Sequence, residues 1–385
     1  MLEKALRGDR RYWAWVGFLI LIIGVGFFFY LRQLDYGLGI TGMSRNVSWA
    51  LYIAQFTFLV GVAASAVMLV IPYYLHDYKA FGKLTILGEF LAVSCVFMCI
   101  TFIIVDLGQP ARAINMLFYP TPSSILFWDM IVLNGYLLLN ILIGWTVLAS
   151  EEKSVPPPKW VKPLIYLSIP WAISIHTVTA FIYAGLPGRS FWLTAIMAPR
   201  FLGSAFASGP ALLILLCFIL RKSSRFDAGK QSIQALAKIV TYALIASIFF
   251  VLMEIFTVFY SQVPEHMEHF KYLFVGLDGH YALVPWMWAA VILAAIALIL
   301  LINPRTRQNE TLLAVACAAV FFSLWIEKGL GLVVTGFIPS PLEKITEYFP
   351  TGPEVAITMG VWALGLLILT VLYKVAIAVK AEIEE

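Results

Sequence analysis

The chain has 385 residues, of which 61% are hydrophobic and 12% charged, with a formal net charge of +4. A mean hydropathy of +0.89 excludes an ordinary soluble globular protein and implies a polytopic membrane protein. The small positive balance points to no nucleic-acid partner, because a bias of Lys and Arg toward one set of loops accounts for it.

A helical span needs roughly 20 apolar residues to cross about 30 Å of hydrocarbon. Ten stretches meet that length, near 13–32, 48–75, 84–106, 125–149, 162–185, 200–220, 234–262, 280–302, 311–335 and 354–378. Lipid offers no partners for open backbone groups, and the runs are too long for barrel strands. The expected fold class is therefore all-α: ten transmembrane helices, arranged as two four-helix bundles plus two additional helices. The whole of 1–385 reads as one integral membrane domain. Within it, 1–47 is the first helix and outer loop, 48–186 the first bundle, 187–335 the second and 336–385 the last helix.

The N-terminal segment carries Arg10-Arg11 ahead of the first apolar run. A twin-arginine or signal-peptide start would need a small-residue cleavage site, and none follows, so no cleavage is expected. On the second span Trp49, Tyr52 and Gln55 recur at i, i+3 and i+6, which predicts that they line roughly one face near the outer surface. Further along lies the small-residue run Gly61-Val62-Ala63-Ala64-Ser65-Ala66.

The third span holds Glu89 in its inner half and ends at Asp106, followed by Leu107-Gly108-Gln109-Pro110-Ala111-Arg112. A carboxylate at a bilayer edge is costly, so the Gly-Pro break with an Arg six positions on suggests a polar pocket beside a helix end. A plain Asp106–Arg112 pair capping a loop is the alternative. Trp128 and Asp129 open the fourth span, and the loop after it carries Pro156-Pro157-Pro158, read as a stiff joint between bundles or as a simple connector. His176 lies near the middle of the fifth span and Tyr183 nearer the outside. The sixth span carries a second small-residue run, Gly203-Ser204-Ala205-Phe206-Ala207-Ser208-Gly209, oriented like the first. In the later spans Glu254, Glu327 and Lys328 are buried by position. One or other carboxylate is expected to neutralise the lysine.

Of the 26 basic residues, eighteen, Arg225 among them, fall in the segments on the N-terminal side of the membrane. The multi-pass chain is thus expected in the cytoplasmic (inner) membrane with both termini cytoplasmic. Cys95, Cys99, Cys217 and Cys317 form no CxxC spacing and read as small apolar side chains, so neither an iron–sulfur cluster nor a metal site is expected. Of five histidines only His176 is deep, which argues against a bis-histidine haem. No segment is long enough for a soluble domain, so any redox centre in water must belong to another polypeptide.

A quinone head group presents two oxygens on a flat ring and needs donors, aromatic walls and a proton-exchanging group. Tyr52, Gln55 and His176 can donate or relay, and Asp106 or Asp129 can accept a proton on quinol oxidation. Glu89, Glu254 and Glu327 are candidate steps of a proton path, or carboxylates held neutral by neighbouring helices. Two rival readings are a proton-coupled secondary transporter using Glu254, Glu327 and His176, and a structural membrane anchor with no quinone site.

Three ordered motifs resemble the NrfD/PsrC family, the quinone-reactive membrane subunits of polysulfide reductase and related respiratory complexes. Asp106 to Arg112 resembles the family's Asp-Leu-Gly-Arg-Pro-x-Arg segment, and Thr121-Pro122-Ser123-Ser124 leading to Trp128 its Ser-Pro-x-Ser-Trp segment. Gly188-Arg189-Ser190-Phe191-Trp192, with Pro199-Arg200-Phe201-Leu202-Gly203-Ser204-Ala205, resembles its outer loop and the start of its second bundle. Ten spans and the stretch His176 to Phe181 are most similar to the DsrP branch, the integral subunit of the DsrMKJOP complex of sulfate reducers.

The resemblance implies a subunit of a respiratory oxidoreductase complex that exchanges electrons between menaquinol or menaquinone and an extracytoplasmic ferredoxin-like iron–sulfur subunit. It holds no haem or cluster of its own and assembles with a cytochrome b-type subunit and further redox subunits in sulfur metabolism. Asp106, His176 and Asp129 would exchange protons, and Trp49, Tyr52, Gln55, Arg112, Trp128 and Tyr183 would surround the ring. The chain departs from the family pattern at Gln109, where an arginine is usual, and at Tyr52 and Gln55, which replace an Asn/His pair.

Overall fold

The computed structural model describes residues 2–64, 66–224 and 226–384, except the side chains of Leu2, Ile383 and Glu384. Ser65 and Arg225, which figure in the small-residue run and in the charge bias, lie outside the described residues.

Among the described residues there are ten helices long and apolar enough to cross a membrane. They are α1 Arg10–Ile40, α2 Leu51–Leu75, α3 Lys79–Asp106, α4 Ile125–Glu152 and α5 Val161–Ala184, then α6 Met197–Ser223, α7 Lys230–Tyr260, α8 Val284–Ile302, α9 Glu310–Thr335 and α10 Gly352–Glu382. Local chemistry sets several ends. Asp9 accepts from the Tyr12 amide at 2.9 Å to start α1, and Asn309 accepts from Thr311 and Leu312 at 3.0 and 3.2 Å to start α9.

Helices α2, α3, α4 and α5 pack as one ring, and α6, α7, α8 and α9 as a second. Helix α2 stands between them, touching α6 and α9 as well as its own neighbours. Every residue from Leu51 to Ala64 is buried, which is why this helix is apolar all round instead of striped. Small residues make the seam possible: a β-carbon on Gly61 would sit 3.6 Å from the Ala205 Cα, and one on Gly329 3.2 Å from the Ala54 carbonyl oxygen. The two runs noted in the sequence thus meet each other.

Helices α1 and α10 lie outside, packed together, with α10 against α3. At their crossing Gly26 and Gly360 meet backbone to backbone, where a β-carbon on Gly26 would lie 2.7 Å from the Gly360 Cα. Lys4 pairs with Glu382 at 2.5 Å and with Glu152 at 2.9 Å, so both chain ends and the end of α4 share one side of the membrane. We call it the terminal face, and the opposite side the far face.

One element was not expected from hydropathy. Pro264–Phe274 is a short helix on the far face. It is held by His269, whose Nδ1–H donates to the Thr335 and Ile338 carbonyls at 3.0 and 2.8 Å. Its Nε2, 3.0 Å from the Ser190 hydroxyl, then accepts, which assigns the neutral tautomer. Burial holds this imidazole down at about 4.

Candidate functional site

Helix direction decides where the polar side chains gather. Counting back from the far-face ends, Tyr52, Gln55, Asp106, Asp129, His176, Tyr183, Arg200, Glu254, Glu327 and Lys328 all lie within eight residues of the end of their helix, or about 12 Å at 1.5 Å per residue. Glu89 is the exception, nearer the terminal face.

The Asp106 cluster is assembled from four helices. The Tyr52 hydroxyl donates to Gln33 Oε1 at 2.8 Å, and Gln33 Nε2 donates to the Val105 carbonyl at 2.6 Å, so α1 reaches under the end of α3. Tyr52 is within electrostatic range of both Asp106 and Glu354. Glu354, fully buried at the start of α10, accepts from the Tyr348 hydroxyl at 2.5 Å and from the Gly42 amide at 2.9 Å. Burial, reinforced by that carboxylate, pushes the Tyr348 hydroxyl well above its usual range, so it stays a donor. In contrast, Asp106 Oδ1 is buried and has no hydrogen-bond partner among the described residues. Its expected alternative partner is not engaged, since no ion pair joins Asp106 to Arg112 among the described residues.

Beyond Asp106 the chain turns through Pro110–Ile114 and Asn115–Phe118. Ile114, Leu117, Phe118 and Tyr119, in and just after this segment, are 56% to 76% exposed, an apolar apron on the loop that follows Asp106.

A second group lies one helix inward. Thr179 donates to Asp129 at 2.8 Å, and Thr57 and Tyr183 share a hydroxyl hydrogen bond. His176, one turn before Thr179, is fully buried with both ring nitrogens unpartnered among the described residues. It lies within electrostatic range of Lys328.

Two expectations need correction. Trp49 precedes α2 and packs on Trp192 with ring centroids 6.0 Å apart. Gln55 accepts from Trp325 and Trp362 at 2.8 and 3.0 Å, whereas Tyr52 points to α1. Each three-residue step leaves a side chain about 60° short of a full turn, so around a wholly buried helix these three residues meet three different neighbours. Second, among the described residues neither Glu254 nor Glu327 forms a direct ion pair with Lys328; both hold Arg200, with Nη1 of Arg200 2.5 Å from Glu254 and Nη2 on Glu327. The Lys328 ammonium instead donates to the Phe201 carbonyl at 3.3 Å and sits 4.2 Å over the Phe201 ring. It is carried by Trp325–Gly331, a π-helical segment that shifts Glu327 and Lys328 off the plain α register. A 1670 Å³ cavity opens at the terminal face, away from the helix ends around Asp106. Trp128 is half exposed and donates to the Pro122 carbonyl at 2.9 Å.

Gln33, Glu354 and Arg200 were missed in the sequence. Gln33 falls one position past the expected first span and Glu354 on the first residue of the last, so each read as a flank. Arg200, the first residue of the expected sixth span, likewise read as an outer-side flank.

Among the described residues no group of three or more His, Cys, Asp or Glu side chains is placed to hold a metal ion.

Comparison with known proteins bears on the same region. The family model described as "Polysulphide reductase, NrfD" matches residues 39–337. A Halobacterium salinarum protein, provisionally named as a membrane subunit of dimethyl sulfoxide reductase, is 26% identical over 92% of this chain and 88% of its own length. The Hdr-like menaquinol oxidoreductase integral membrane subunit of Archaeoglobus fulgidus is 24% identical over 79% of this chain and 74% of its own. The menaquinone reductase integral membrane subunit of Nitratidesulfovibrio vulgaris is 20% identical over 94% of this chain and 91% of its own. The family match alone spans well over half of the sequence, and it contains the Asp106 motif and the Arg200 segment. This chain therefore belongs to the NrfD polysulphide reductase family of integral membrane subunits.

Proposed function

We propose that this chain is the quinone-reactive membrane subunit of a respiratory oxidoreductase complex. It exchanges electrons between menaquinol or menaquinone and an iron–sulfur subunit docked on the far face. The observation that carries the reading is the buried Oδ1 of Asp106, unpartnered among the described residues, at the helix end where Gln33 joins Tyr52 to Val105, with an exposed apolar apron on the loop that follows. An unsatisfied acceptor at a bilayer edge is costly, and a hydroxyl donor from an amphiphilic ring arriving out of the lipid would satisfy it. Two relatives are named for menaquinol or menaquinone chemistry, which supports the same substrate class.

Oxidation of a quinol yields two electrons and two protons; the electrons pass to the docked partner. On this chain Asp106 takes a proton from the ring hydroxyl, and Tyr52, held by Gln33, orients the ring. Asp129 and His176 form the next polar group inward, and Glu89, close to the terminal face, is a step for protons from the other side. The far face is then extracytoplasmic and both termini cytoplasmic, in line with the basic bias of the terminal-face loops.

A transporter would centre its polar groups on the midplane at the junction of two repeats. The layering toward the far face favours the quinone reading over that rival. The chain purified in mild detergent should carry menaquinone in stoichiometric amount, measured by extraction and liquid chromatography. Quinone no higher than in the bulk detergent–lipid extract would refute a bound site.

A further inference from the structure

The cavity at the terminal face has a composition of its own. It measures about 1670 Å³ and opens between the starts of α1 and α3 and the ends of α4, α6 and α10. Among the described residues seven basic side chains and three carboxylates line it, a surplus of four positive charges. The carboxylates are already engaged: Asp9 caps α1, Asp227 accepts from the Gly229 amide at 3.0 Å, and Glu151 pairs with Lys380 at 3.2 Å. Among the described residues none of Arg7, Arg11, Lys222 and Lys374 is ion-paired, although Lys374 lies 5.4 Å over the Tyr12 ring.

The walls below this rim are apolar. From Leu366 to Ala381, α10 contributes side chains at Leu366, Leu369, Tyr373 and Ile377, a single stripe of the helix. That stretch of α10 is about 22 Å long at 1.5 Å per residue. Leu216, Ile219 and Leu220 of α6 face it across the cavity. A basic rim over a long apolar trough, at the level of the helix ends, matches an amphiphile that lies in the bilayer with its charge at the surface. A free phosphate would use the rim and leave the trough empty.

We propose that this cavity seats an anionic membrane glycerophospholipid. Its phosphates lie against Arg11, Lys222 and Lys374, and an acyl chain runs along the α10 stripe between α1 and α6. The lipid would fasten the peripheral pair α1 and α10 to the first and second rings at the face where the chain ends meet. Zwitterionic lipids lack the net negative charge that the basic rim would balance.

The test is lipid titration of the full-length chain in detergent, followed by native mass spectrometry. The probes are cardiolipin, phosphatidylglycerol, phosphatidylcholine and glycerol 3-phosphate. Cardiolipin should bind at least about tenfold tighter than phosphatidylcholine, and replacing Arg11, Lys222 and Lys374 together by Gln should weaken it by about fivefold per group removed. Lys222→Gln alone, at an exposed position, should show the single-group loss if the triple variant does not fold. Leu366→Trp should weaken cardiolipin and leave the rim charge intact. Equal binding of cardiolipin and phosphatidylcholine, or undiminished binding to the Lys222→Gln and triple variants, would overturn the proposal. So would glycerol 3-phosphate binding as tightly as cardiolipin, which would mark an anion site without lipid.

Discussion

Removing the guanidinium at Arg200 is the sharpest test of how this membrane interior balances charge. Arg200 and Glu254 are 7% and 5% exposed, and Arg200 bridges Glu254 and Glu327. Lys328 is in electrostatic range of Glu327, so two cations and two carboxylates make a neutral set. Arg200→Met leaves two carboxylates facing each other with one lysine between α6, α7 and α9. Breaking a buried pair by deleting one partner costs about 3–5 kcal/mol, because the other charge keeps its desolvation penalty. Adding Glu254→Gln to Arg200→Met restores neutrality, with Glu327 and Lys328 left to balance each other, and should recover most of the loss. The measurement is unfolding free energy from sodium dodecyl sulfate titration in mixed micelles, followed by tryptophan fluorescence. A single variant within about 0.5 kcal/mol of the parent, or a double variant no more stable than the single, would refute the charge-balance reasoning.

Two further outcomes follow from particular contacts. A methyl on Gly336 would lie 1.9 Å from the Trp192 ring, which is fully buried and fixed by its Nε1–H donating to the Leu332 carbonyl at 2.9 Å. Gly336→Ala should therefore cost about 1–3 kcal/mol by overpacking, read in the same titration. For His269 the folded state binds its proton only near pH 4, against about 6.5 when unfolded. Its contribution is fully present above about pH 6.5 and is lost as pH falls toward 4, on the order of 3 kcal/mol in all. Stability measured from pH 7 to 4 should fall more steeply in the parent than in His269→Gln; parallel curves would contradict the burial argument.

Much of the fold was legible because lipid removes choices. Backbone groups in hydrocarbon must pair within the segment, so apolar runs of span length could only be helices, and the ten stretches stand where the ten helices do. The short helix Pro264–Phe274 escaped because hydropathy does not mark an element outside the membrane. The site was legible by residue type and depth, less so by direction. Asp106 stands out in the sequence because a carboxylate ends an apolar run, but its neighbours Gln33 and Glu354 sit at span ends where hydropathy boundaries blur. The direct pairing of Glu327 with Lys328 failed because adjacency along one helix does not make two side chains face each other, and Glu254 on α7 reaches Arg200 instead. The π-helical turn at Trp325–Gly331 turns Glu327 toward Arg200 while Lys328 reaches Phe201. No single-sequence periodicity signals that turn.

The most direct test of a quinol-oxidising carboxylate at the far face is Asp106→Asn in the intact complex. The isostere keeps the shape of the side chain and removes its capacity to take a proton. Menaquinol-dependent reduction of the iron–sulfur partner should fall by at least about 100-fold, while the amount of assembled complex recovered by co-purification stays the same. Turnover at the parent rate, with assembly intact, would remove Asp106 from proton transfer and the far-face site with it.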